Sequence, residues 1–268
     1  YIVFFSILIL IFSILKFFLF LQKFILMKNW ISLACILVLY SCQTVKIENA
    51  TYNTNSSKVE LGVIGHSKGM FFNKKFNSKA YPELTSKIKV NVSVVPFSKR
   101  SNKVYLSKTK NNQNLAKINY VDSIPVKPEL VTISILDING YCREINSPEN
   151  TKINRLIKET KKAKVISSIA IVLKEDDLQK IKNADEFYLI NKKDQKYSLG
   201  LFKQGKQTDV LEISTAPVLG YEEGRFCWSE IKPGKWEVID LIAICESCKG
   251  NTVKKVSNKK KTKSLFRM

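Results

Sequence analysis

The chain has 268 residues, 44 basic and 23 acidic side chains, a formal charge of +21 and 45% apolar residues. That apolar share excludes a disordered or collagen-like chain, and the length allows one large domain or two small ones. Its arginines are only Arg100, Arg143, Arg155, Arg225 and Arg267. Arginine grips phosphate in a fixed fork, whereas lysine is a hydrated point charge. The charge therefore reads as a lysine-coated surface, with anionic lipids or acidic polysaccharide as fitting partners and no nucleic acid expected.

Residues 1–26 are almost wholly apolar, interrupted by Ser6, Ser13, Lys16, Gln22 and Lys23. A run of that length is enough to cross a bilayer as a helix. The chain opens on Tyr1, however, and a complete export signal starts afresh at Met27. The segment is read as lying upstream of the true start, with a transmembrane segment as the alternative.

From Met27-Lys28-Asn29 the chain runs through the apolar stretch Trp30–Val38 to Leu39-Tyr40-Ser41-Cys42. A basic start, an apolar run and small or neutral residues before a cut have the form of a secretory signal. Residues 27–42 resemble a bacterial lipoprotein signal peptide, in which Leu, two tolerant positions and Cys form the lipobox. Tyr40 is bulkier than the usual occupant. The resemblance implies removal of residues 27–41 and acylation of Cys42 on its thiol and its new amino group. It implies no activity, and nothing in the rest of the chain resembles a known family. Gln43 stands where an Asp retains many lipoproteins at the inner membrane, which by analogy favours the outer membrane. Each buried methylene contributes about 0.8 kcal/mol and one acyl chain binds only marginally, so two or three chains on Cys42 would anchor the domain without a spanning helix.

Residues 42–58, with Thr51-Tyr52-Asn53-Thr54-Asn55-Ser56-Ser57, read as the lipidated cysteine and a polar tether, and residues 59–248 as one β-rich globular domain. Gly65-His66-Ser67-Lys68-Gly69 has the Gly-x-Ser-x-Gly form of a nucleophile elbow, preceded by the apolar Leu61-Gly62-Val63-Ile64. A Ser-His-acid triad needs a histidine brought in from elsewhere, and His66, inside the motif, is the single histidine of the chain. Ser-Lys catalysis would instead need a buried lysine. Residues 62–69 are expected to be a glycine-bearing strand and turn.

Ile88, Val90, Val92 and Val94 alternate with polar residues as in a half-buried strand. Val104-Tyr105-Leu106 is a further candidate strand, and 108–114 a polar loop. Leu130–Ile138 is a strong strand, with Asn139-Gly140 as a hairpin turn. Two helices are expected. One is capped by Ser147, carries Pro148 and Glu149 in its first turn, and presents Ile153, Leu156 and Ile157 on one face. The other opens at Glu175-Asp176-Asp177 and carries Leu178 and Ile181. Val165–Leu173 lies between them as an apolar strand. Phe187–Ile190, Lys196–Phe202 and Val210–Ile213 form a meander, and Phe226–Ile231 and Trp236–Cys245 a hairpin about Lys232-Pro233-Gly234. The fold class expected is α+β, β-dominated, as an antiparallel sheet or sandwich with about two helices.

Tyr221–Trp228 joins aromatics to Glu222 and Glu223. Neighbouring acids on a strand face apart and cannot flank a glycosidic bond, so a loop leading into a core strand with Trp228 buried is expected. Residues 249–268 carry lysines and Arg267 without an acid and read as a disordered basic tail.

Four cysteines remain once Cys35 is removed and Cys42 acylated: Cys142, Cys227, Cys245 and Cys248. In an exported chain they are candidates for two disulfides, with three pairings open. Cys245-Glu246-Ser247-Cys248 is also a redox or zinc motif, but it follows the last strand, and zinc would need Cys142 and Cys227 as further ligands. A disulfide is favoured. The expectation is a lipid-anchored, non-catalytic envelope protein without metal or cofactor. The alternatives are an exported serine hydrolase using Ser67, or a redox or metal-binding protein using Cys245 and Cys248.

Overall fold

The computed structural model describes residues 44–54, 59–69, 75–109, 118–123, 125–192 and 196–256. The upstream apolar segment, the signal stretch, Cys42 and the tail from 257 lie outside the described residues. The strands are β1 Thr44–Ile47, β2 Ala50–Asn53, β3 Ile64–Lys68, β4 Lys75–Ala80, β5 Ile88–Pro96, β6 Glu129–Ile135, β7 Lys164–Ile171, β8 Glu186–Lys192, β9 Lys196–Lys203, β10 Lys206–Leu211, β11 Val218–Lys232 and β12 Lys235–Ala243. The helices are α1 Lys99–Thr109, α2 Ile138–Asn146, α3 Thr151–Glu159 and α4 Glu175–Lys182, with 3-10 turns at Pro148–Asn150 and Ile213–Thr215. The protein is thus a β-dominated α+β domain, with four α-helices among the described residues where two were expected.

All the strands join one antiparallel sheet in the order β1-β2-β11-β7-β6-β5-β8-β9-β10, and it branches at its centre. One edge of β7 pairs with β11, while the other is shared between β6, at Ser168–Ile171, and β3, at Lys164 and Val165. β11 likewise carries β7 on one edge and both β2 and β12 on the other. Leu130 and Ala170 belong to one buried cluster, together with Val45, Tyr52 and Tyr105. Their strand neighbours Val131, Ile169 and Ile171 belong to the other, with Tyr141, Ile157, Leu178 and Ile181 from α2, α3 and α4. Because successive side chains point to opposite faces, these central strands are buried on both faces, and Thr132, Ser134, Ser167 and Ser168 are the polar residues within their otherwise apolar runs.

Several expectations are corrected. Residues 44–53 are a β-hairpin and not a tether: Val45, Ile47 and Tyr52 are buried, and Asn53 pairs with Tyr221 of β11. Val104-Tyr105-Leu106 lies in helix α1. Its start is capped reciprocally, Ser98 N–H donating to Ser101 Oγ at 2.8 Å and Ser101 N–H to Ser98 Oγ at 3.1 Å. Ser101 and Tyr105 then share one buried helix face. Asn139-Gly140 is no hairpin turn but the first turn of α2, where Asp137 caps the helix by accepting the Gly140 N–H at 2.8 Å. Tyr221–Trp228 lies wholly within β11, although Trp228 is buried as expected. The first part of the basic tail is docked: Val253 exchanges two backbone hydrogen bonds with Trp228, each 2.9 Å.

Candidate functional site

Ser67, Lys164 and Glu223 come together where the sheet branches. Register explains the meeting. Lys164 opens β7 opposite Gly65 of β3 and opposite Arg225 of β11. Residues two apart on a strand share a face, and diagonal neighbours on adjacent strands are within reach of a long side chain. Ser67 and Glu223 are those diagonal neighbours, one on each side of Lys164. Gly65, lacking a side chain, lets β4 approach closely at this point. A Cβ on Gly65 would lie 2.1 Å from the Asn77 carbonyl oxygen of β4.

The Ser67 hydroxyl donates to Glu223 Oε1 at 2.5 Å and accepts from Lys164 Nζ at 3.0 Å. Lys164 Nζ also pairs with Glu223 Oε2. Both charged side chains are shut away from water, at 7% and 2% exposure. Charges so deep persist only when paired and hydrogen-bonded. An ammonium held by a carboxylate is a donor, not a base, so in this arrangement Glu223 accepts the serine hydrogen bond and Lys164 donates one to the serine oxygen.

The Gly-x-Ser-x-Gly residues are a strand and turn, as expected: Ser67 lies inside β3 and Gly69 follows with φ +110°. Among the described residues the element that follows β3 is the antiparallel strand β4 and not the helix that an elbow needs. His66 is one residue along the strand and so on the opposite face. Partial burial, with Lys79 and Lys68 nearby, pushes its pKa below the usual imidazole value. The sequence does not single out Lys164 as a partner for Ser67. The only signal in the sequence was a lysine at the head of the apolar run Val165–Val172.

Glu222 and Glu223 face apart as expected. Glu222 accepts a hydrogen bond from the Thr51 backbone, and burial, the larger effect, pushes its pKa up. Beside it, the Tyr52 and Ser168 hydroxyls share a hydrogen bond of 2.9 Å. On another part of the surface, a cavity of ≈ 320 Å³ is bordered by Lys87, Arg143 and Glu144. The Glu144 carboxylate is occupied by the Thr85 and Ser86 backbone N–H groups and the Thr85 hydroxyl. Lys87 lies over the Tyr188 and Phe202 rings, and Asp137, which caps α2, borders the cavity as well, so the lining carries charges of both signs.

The four cysteines among the described residues form one bond where two were expected. Cys227 is bonded to Cys248, while Cys142 is a buried free thiol and Cys245 an exposed one. The Cys-x-x-Cys pair is thus split between a disulfide and a thiol. Burial pushes the Cys142 pKa up to about 12, with Asp240 and Asp137 adding to the shift. Among the described residues no group of three His, Cys, Asp or Glu side chains is placed to hold a metal ion, and no helix is long and apolar enough to cross a membrane.

Comparison with protein families, with curated proteins and with solved structures gives no significant match for this chain.

Proposed function

We propose that this chain is a lipid-anchored bacterial cell-envelope lipoprotein, held at the outer membrane through acylated Cys42, whose β-dominated domain binds or builds rather than catalyses. The Cys227–Cys248 disulfide carries the reading on the structural side. Such bonds persist in oxidising compartments outside the cytosol, which is where the signal resembling a lipobox at Leu39–Cys42 would deliver the domain. The buried Lys164–Glu223 pair fits a structural role, because it ties β7 to β11 at the branch of the sheet. Beyond the anchoring lipid, the partners proposed are anionic envelope lipids or polysaccharide, which suit the excess of basic side chains in the chain. No cofactor and no nucleic acid is proposed. Growth with a clickable fatty acid tests the reading. Label on the wild-type protein and none on Cys42→Ala is expected, and an unlabelled wild type would reject it.

A second reading, an exported serine hydrolase, is favoured by one observation: Lys164 Nζ donates to Ser67 Oγ at 3.0 Å. It requires Ser67 to react with a fluorophosphonate probe, with fluoride leaving and the serine proton passing to Glu223. Adduct on Ser67 that disappears in Ser67→Ala would support it. A wild type that stays unmodified under conditions that label a control hydrolase would end it.

A further inference from the structure

Cys245 is exposed and free, three residues before the disulfide-bonded Cys248. β12 ends at Ala243, and a turn closed by the Glu246 N–H on the Ala243 carbonyl, 3.1 Å, carries the chain through Cys245. The Ala243 N–H in return meets the Glu246 carboxylate at 3.2 Å. Cys248 itself is half-buried, whereas Cys227 sits in β11 fully sealed from solvent. The disulfide therefore joins a mostly exposed segment to a core strand, with a second thiol three residues along the chain from its half-buried end. Downstream of Cys248 the segment is also held by the Val253–Trp228 backbone pair.

We infer that Cys245 and the Cys227–Cys248 bond form a thiol–disulfide exchange unit that moves the bridge off the core strand. The Cys245 thiolate attacks Cys248 Sγ, the bond to Cys227 breaks, and a Cys245–Cys248 bond forms. Cys227 leaves as a thiolate and takes up a proton equivalent to the one Cys245 lost. One S–S bond is broken and one made, so no oxidant or reductant is consumed. In the starting isomer the bond spans 21 residues and pins the basic tail to β11. In the product it closes only the short Cys-x-x-Cys loop, and the tail loses its covalent hold. A thiolate is disfavoured in an apolar interior, so the exchange is slow until the contact between β11 and the tail opens. Pulling on the lysines of the tail, Lys249, Lys254 and Lys255, is the kind of event that opens it.

The inference rests on the export reading only because the bond must persist where the protein works. Fatty-acid labelling reads export and the experiment below reads exchange, so either can fail alone. Purified full-length protein is held in mildly alkaline buffer without added thiol, blocked with N-ethylmaleimide, and digested with trypsin unreduced. The Lys232-Pro233 bond resists trypsin, so Cys227 is carried on Phe226–Lys235, while Cys245 and Cys248 are both carried on Trp236–Lys249. The first time point should hold the two peptides linked, with the blocking group on Cys245. Over minutes to hours, the range for uncatalysed rearrangement, an internally bridged Trp236–Lys249 should appear beside Phe226–Lys235 blocked at Cys227. In Cys245→Ser, an exposed substitution, that isomer should be absent. Linked peptides blocked only at Cys245 throughout would overturn the inference. So would linked peptides blocked at Cys248, because the attack would then have fallen on Cys227 and left the bridge on the core strand.

Discussion

Lys164 and Glu223 form an ion pair almost sealed from water, and Ser67 closes the triangle by bonding to both. Removing one partner strands the other charge in the interior, which typically costs about 3–5 kcal/mol, whereas replacing both by apolar residues is often far milder. Lys164→Met and Glu223→Leu should each lower the urea midpoint at unchanged slope. The double variant Lys164→Met/Glu223→Leu should recover most of that loss. Additive losses would show that the two charges are not stabilising one another.

Gly65 is required by space. A methyl group there meets the Asn77 backbone oxygen at 2.1 Å, so the β3–β4 pairing must shift. Gly65→Ala should cost about 3 kcal/mol, the upper range for overpacking. Gly234 in the β11–β12 turn has φ +80° and nothing within 4 Å, so Gly234→Ala should cost about 1 kcal/mol from backbone conformation alone. Equal losses in chemical denaturation would refute this placement of β4.

Lys108 donates to the Val218 carbonyl at 2.8 Å, and burial pushes its pKa down from 10.5 to about 8. Between those values the unfolded chain keeps the proton that the folded chain has released. Its contribution to stability therefore rises with pH across that window and is level below it. The stability difference between wild type and Lys108→Met should move in favour of wild type by about 1 kcal/mol from just below pH 8 to near pH 10.5, allowing for the part of Lys108 that solvent still reaches. A flat difference would mean that the amine is not desolvated.

Thiol counting separates the cysteines. Native mature protein should expose one thiol to Ellman's reagent, Cys245, and urea without reductant should add Cys142. Reductant should then release Cys227 and Cys248. A further thiol in urea alone would point to an unmodified Cys42.

Legibility followed local chemistry. The alternation from Ile88 to Val94 and the apolar run after Lys164 marked β5 and β7, because those strands bury one face or both. Ser147-Pro148-Glu149 marked the 3-10 turn that leads into α3, and Glu175-Asp176-Asp177 marked α4. Val104-Tyr105-Leu106 misled because its β-prone residues form a helix whose cap, Ser98 with Ser101, lies outside that triplet. Asn139-Gly140 misled because Asp137, two residues earlier, turns the same dipeptide into a helix start. The polarity of residues 43–58 hid a hairpin that buries Val45, Ile47 and Tyr52. The Ser67–Lys164–Glu223 meeting is set by strand register across 97 and 156 residues, and register between distant strands leaves no mark on either strand's own pattern.

Intact mass spectrometry of the protein purified from membranes tests the lipoprotein reading most directly. The account predicts a chain beginning at Cys42, heavier than its polypeptide by a diacylglyceryl group and an N-linked acyl chain, with all residues before Cys42 gone. A chain with an unmodified Cys42 still joined to residues 27–41 would contradict it.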